Sequence, residues 1–163
     1  MKDSATFIGL NPFLFIGVDY FDVVKLSEHT VREIADWLQC GLECWVHKVR
    51  GTMIFLPNSD DPYYDPEMWE DAFVDVAGKE EEYLVFETMD SSHSYRIMED
   101  FTFSLASSEL KFELERALQG PKPFKRFKQS VESSDLRESW YNYKFDAHMD
   151  WVKSQVNCHQ LVG

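Results

Sequence analysis

Arg96, Glu99 and Asp100 stand together in the run SSHSYRIMEDF, residues 91–101. Two carboxylates beside an arginine are raw material for general acid–base chemistry on a polar substrate. The same residue types also suit the outer side of an amphipathic helix. On a helix that includes Ser94, the residues Tyr95, Met98, Thr102 and Leu105 share one side, adjoined by Ile97 and Phe101. Arg96, Glu99 and Asp100 then face the other way. Helix neighbours diverge by about 100°, so the two carboxylates do not converge on one substrate unaided. Arg96 with Glu99 (i, i+3) and with Asp100 (i, i+4) makes surface pairs that contribute about 0.2–0.5 kcal/mol each. The solvated ion pair is the favoured reading. An enzyme would need Glu99, Asp100, Arg126 and Tyr143 gathered in one cleft, and no residue is assigned as catalytic.

PKPFKRFK, residues 121–128, holds four cations (Lys122, Lys125, Arg126 and Lys128) and no acid. Cations at a helix start suit an anion, so RNA, a nucleotide or a phosphate is one reading. The other places Phe124 and Phe127, three apart, in a core, with the cations answering the acids of residues 60–82. That acidic segment carries ten Asp and Glu against the single Lys79, within a chain whose net charge is −13. Excess acid favours the second reading, because a negative field opposes binding along a phosphate backbone. The aromatics around the acidic segment (Tyr63, Tyr64, Trp69 and Phe73) also suit docking by a partner.

Cys40, Cys44 and His47 have C-x3-C-x2-H spacing, but zinc wants four ligands and no fourth stands near. No metal and no cofactor is expected. His29, His93 and His148 are isolated from any Ser or Cys nucleophile pattern. Seven scattered glycines make no phosphate loop. Three cysteines argue against a disulfide framework and for a reducing, cytoplasmic setting. No apolar run approaches the roughly 20 residues of a membrane span, and no secretory leader is evident.

The elements that must carry these residues follow from periodicity. The length of 163 residues fits one domain. Val31, Ile34, Ala35 and Leu38 predict a helix capped at Thr30 or Ser27 and closed by Gly41. Leu42–Val49 and Thr52–Leu56 predict a β-hairpin turning at Arg50-Gly51, with Tyr83–Phe86 as a third strand. Asp65-Pro66 starts a helix that turns Met68, Trp69, Ala72, Phe73 and Val76 inward. Ser91 or Ser92 is expected to cap the next helix, and Ser107 or Ser108 the one after it, which Gly120-Pro121 ends. A short helix opens at Pro123. A last helix begins near Asp135 and turns Trp140, Tyr143, Ala147, Trp151 and Val152 inward, with a frayed tail after Val156. The fold class is therefore α+β, a small antiparallel sheet with a mainly helical C-terminal half. Residues 1–24 resist assignment beyond a strand near Phe13–Val18.

SYRIMEDF (94–101), ALQGPKPFKRFK (117–128) and WYNYKFDAHMDWV (140–152), taken in that order, resemble the successive motifs of the UPF0158 family of bacterial proteins. The resemblance covers about residues 25–156 and is strongest after residue 90. Lys125, Tyr143 and Val152 depart mildly from the usual pattern. The family carries no established activity, so the resemblance implies an architecture and supplies no mechanism. The candidate binding residues are Tyr95, Arg96, Glu99, Lys122, Lys125, Arg126, Lys128, Trp140 and Tyr143. The favoured function is a non-enzymatic module that binds an unknown protein partner through a charge-segregated surface. An RNA or phosphate ligand at residues 122–128 is the alternative.

Overall fold

The computed structural model describes residues 26–57 and 65–161. The acids Asp60 and Asp61, Tyr63 and Tyr64, and the strand expected near Phe13–Val18, lie outside the described residues. Helix α1 (Glu28–Gln39) starts at Ser27, whose Oγ accepts the Thr30 amide at 3.1 Å. Its buried stripe is the expected Val31, Ile34, Ala35 and Leu38. Strands β1 (Leu42–His47), β2 (Met53–Pro57) and β3 (Tyr83–Phe86) form an antiparallel sheet in the order β2-β1-β3. The β1–β2 turn depends on Gly51, whose φ of +67° lies in the left-handed region. His47 completes that turn. Its Nδ1 accepts the amides of Val49 and Arg50, while its Nε2 faces Glu82 at 3.3 Å.

Register decides which apolar residues face which layer. Val46 stands opposite Met53 and Leu84, and Cys44 opposite Phe55 and Phe86. These six residues belong to the cluster that α1 covers. Period-two alternation sends Trp45, Ile54, Leu56 and Tyr83 to the other face. There they meet Ala72, Phe73 and Val76 of α2 (Pro66–Val76). Asp65 caps α2 by accepting the Glu67 amide. The acids of α2 turn outward, as the sequence expects, but so does Met68, which was expected inward and is 74% exposed.

The helical half is α3 (Ser91–Ser104), α4 (Glu109–Gln119), α5 (Pro123–Glu132) and α6 (Arg137–Leu161). The cap of α3 is Asp90, in place of the expected Ser91 or Ser92. Its carboxylate accepts both the His93 amide (2.8 Å) and the ring Nδ1–H (3.0 Å), and its charge suits the positive end of the helix. Lys111 of α4 donates to the carbonyls of Phe103 and Leu105, placing a cation on the negative end of α3. Lys122 sits left-handed at φ 53° just before Pro123. This is a costly backbone for a non-glycine residue, and it folds α5 sharply back onto α4. The Arg126 guanidinium lies over Gly120, and a Cβ there would displace the end of that flexible side chain.

Met98, Phe101, Leu114, Leu118, Phe127, Val131 and Trp140 form the core of this half. Phe127 and Phe101 each meet Trp140 edge-on, at 4.8 and 5.2 Å between centroids, a favoured aromatic geometry. Beyond Trp140, α6 runs across to the sheet cluster, where it contributes Met149 and Val152. The helix continues past Val156, where fraying was expected, to Leu161. Gln155 donates to and accepts from the Glu87 backbone, Trp151 Nε1 donates to the same carbonyl, and His159 Nε2 donates to the Val85 carbonyl. No helix among the described residues is long and apolar enough to cross a membrane.

Phe127, 1% exposed, joins α3, α5 and α6. Phe127→Ala is expected to destabilise the protein by about 3–5 kcal/mol in urea denaturation. A loss below about 1 kcal/mol would contradict the packing described.

Candidate functional site

The sequence-selected residues do not gather in one place. Tyr95 is half-buried, and its hydroxyl is already committed to the Leu118 carbonyl at 3.1 Å. Glu99 and Asp100 are exposed along a groove of about 320 Å³ between α3 and α4, with Glu115 opposite and Phe103 beside them. Arg96 is exposed and makes no ion pair within 4.0 Å with Glu99 or Asp100, so the expected surface pair does not form. Arg126 lines a different concavity, between α4 and α5, with Glu113, Arg116 and Gln129. Tyr143 packs on Phe101 at 5.3 Å. Burial, and then the charge of Asp100, raises its phenol above the ordinary range. Glu99 and Asp100 thus open onto one groove and Arg126 onto another. Lys122 and Lys125 are exposed, and none of the salt bridges among the described residues joins the cations of α5 to the acids of residues 65–82.

Lys128 and Trp140 do meet, in a cleft of about 380 Å³ where α3, α5 and α6 come together. Ser94, Ile97 and Met98 come from α3; Phe124, Phe127 and Lys128 from α5; Trp140, Tyr141, Lys144 and His148 from α6. Helix geometry explains the convergence. Phe124 and Lys128 are four apart on α5, and Trp140, Lys144 and His148 repeat every four residues on α6, so each set forms one stripe. The two stripes face each other because Phe127 and Trp140 are locked together beneath them.

The charge in this cleft is one-sided. Lys128 and Lys144 line it, and no Asp or Glu is among its lining residues. Burial, and then the charge of Lys128, lowers the Lys144 ammonium below the ordinary lysine range, with Cys40 opposing. Just outside the lining, Glu132 shares a neighbouring concavity with Lys128 and feels its charge. It accepts from the Tyr141 hydroxyl and pairs with Arg137 at 2.7 Å. The hydrogen bond from Tyr141 holds its carboxyl below the usual range. His148 is 6% exposed, and its Nδ1 donates to the Lys144 carbonyl at 2.8 Å, leaving Nε2 as an acceptor. Such a cleft can hold an anion against two ammonium groups and a ring against the part-exposed Phe124 and Tyr141. No group of three or more His, Cys, Asp or Glu among the described residues is arranged to hold a metal.

Sequence reasoning passed over Lys144, His148, Ser94 and Tyr141. The available signal was a lysine and a histidine spaced i, i+4 after Trp140, on the stripe of a helix that otherwise turns apolar residues inward. Reading His148 as isolated missed it because the residues that share its cleft come from α3 and α5, far away in the chain.

His148 also gives the protein a pH dependence. Burial lowers the imidazole below its ordinary 6.5; the bond to the Lys144 carbonyl opposes this and the Lys144 charge adds to it. The unfolded chain therefore binds a proton at a pH where the folded chain does not. The stability that His148 contributes is complete above about pH 6.5 and is lost as pH falls toward the lowered value. Denaturation measured from pH 7.5 down to about pH 5 is expected to show a shallower stability loss in His148→Gln than in the wild type. Equal slopes would contradict the assignment.

Comparison with known proteins adds a family. The model of the uncharacterised protein family UPF0158 matches residues 23–161, which include every helix and strand described above. The chain is similar to the UPF0158 protein PA5073 of Pseudomonas aeruginosa, at 32% identity over 89 residues, 54% of this chain. The match spans just over half of that relative, 56% of its length. No solved structure matches the chain. With the family model covering most of its length, the chain belongs to the UPF0158 family.

Proposed function

We propose that this protein is a binding module whose ligand presents an anionic group to Lys128 and Lys144 in the α3–α5–α6 cleft. The observation that carries this reading is the pairing itself. Two lysines from different helices line one concavity that no carboxylate lines, in a molecule of net charge −13. Burying an ammonium near a second one is unfavourable, and Lys144 is lowered first by burial and then by the charge of Lys128. A bound anion relieves it.

Composition alone favours a protein partner over a phosphate ligand, because the acidic excess repels polyanions at long range. The cleft reverses that preference. Screening confines the repulsion to about 8 Å at physiological ionic strength, whereas the two lysines act at contact distance. Enzyme chemistry through Glu99, Asp100 and Arg126 is disfavoured by their distribution over two grooves. The interaction module of the sequence reading is retained, with its binding surface moved to the cleft.

Inorganic pyrophosphate, titrated calorimetrically at low salt, is expected to bind. Lys128→Gln and Lys144→Gln should each weaken it by about tenfold or more, since charge-assisted hydrogen bonds contribute about 1.5–3 kcal/mol. Lys125→Gln should leave it unchanged. Equal affinity across the three variants, or no binding by the wild type, would overturn the proposal.

A further inference from the structure

Resting on the anion reading of the cleft, we infer that its ligand is a mononucleotide, with the phosphate held by Lys128 and Lys144 and the base laid against Phe124 and Tyr141 and read by Ser94 and His148.

Four observations converge on that class. First, two ammonium groups match a phosphate monoester, which carries close to two negative charges near neutral pH, better than a single carboxylate. Lysine binds phosphate as a compact point charge. Second, the two cations adjoin rings that the fold leaves part-exposed. Phe124 is 44% and Tyr141 38% exposed, and both border the cleft, with the Arg137 guanidinium over the Tyr141 ring at 5.9 Å. A part-exposed aromatic ring beside a phosphate site offers a base a surface to stack on. A sugar phosphate would leave those rings in water.

Third, the remaining polar groups are neutral and of mixed type. The Nε2 of His148 accepts, because Nδ1–H is committed to the Lys144 carbonyl. The half-buried Ser94 hydroxyl donates or accepts. Base edges carry both donors and acceptors, and a neutral mixed pair can answer both, whereas a lysine supplies donors only. Fourth, size and field select the monomer over the polymer. About 380 Å³ lies at the small end of the roughly 300–1,000 Å³ of small-molecule sites. Each additional phosphate of a chain would extend onto a molecule of net charge −13.

The test compares AMP, UMP, ribose 5-phosphate, inorganic pyrophosphate and a twelve-residue oligouridylate by calorimetry on the full chain. AMP or UMP is expected to bind about tenfold more tightly than ribose 5-phosphate, the increment coming from the base. Phe124→Ala should weaken nucleotide binding by about fivefold or more, while Phe112→Ala, another exposed ring outside the cleft lining, should not. Circular dichroism on both variants separates lost binding from lost fold. If ribose 5-phosphate and AMP bind equally, the nucleotide inference fails and the anion reading survives. If pyrophosphate and every nucleotide fail to bind, both fail. If the oligouridylate binds much more tightly than either mononucleotide, the ligand is a nucleic acid chain and the inference is overturned.

Discussion

Helix α6 must satisfy two apolar clusters at once. Its first turns place Trp140 and Tyr143 against Phe101 and Phe127, and its second half places Met149 and Val152 against the sheet and α1. The two clusters lie on different sides of the helix axis, so the apolar stripe changes face partway along. The residues at that change have no full apolar partner on either side, and Lys144 and His148 stand there. The cleft is the seam between two cores that share one helix. The same sharing ties the sheet to the helical half, together with the bonds from Gln155 and Trp151 to the Glu87 backbone.

A seam of this kind has an energetic character. A half-buried lysine facing a second lysine gives up stability that the rest of α6 makes good, and its lowered proton affinity is the visible part of that cost. His148 is held neutral by burial while its Nδ1–H is spent on the backbone. Lys122, left-handed at the start of α5, adds local strain two residues before Phe124. Local penalties that the surrounding packing over-determines tend to collect where a molecule binds something. Here three of them lie on or next to the elements that form one cleft.

Much of the architecture was legible in the sequence. The stripe Val31, Ile34, Ala35 and Leu38, the hairpin closing at Arg50-Gly51, the third strand and the Gly120-Pro121 stop all depend on local periodicity and turn chemistry, which neighbouring residues encode. Caps were legible only in part, because Asp90, Ser91 and Ser92 are near-equal N-cap types in consecutive positions. The Arg96 pairs were expected from spacing, yet the side chains do not meet. The cleft was the least legible. Lys128 and Trp140 were singled out, but Lys144 and His148 acquire their meaning from α3 and α5, whose approach to α6 is a tertiary fact. Family resemblance recovered the right group and carried no chemistry with it.

What matters most is whether Lys144 is a strained ammonium awaiting an anion. A pH titration of the side-chain ¹³Cε resonances of the lysines, with and without AMP, reads this directly. The account predicts that Lys144 titrates below the exposed lysines in the free protein and moves back up when AMP is present. A Lys144 that titrates together with the exposed lysines, and that AMP leaves unmoved, would contradict it.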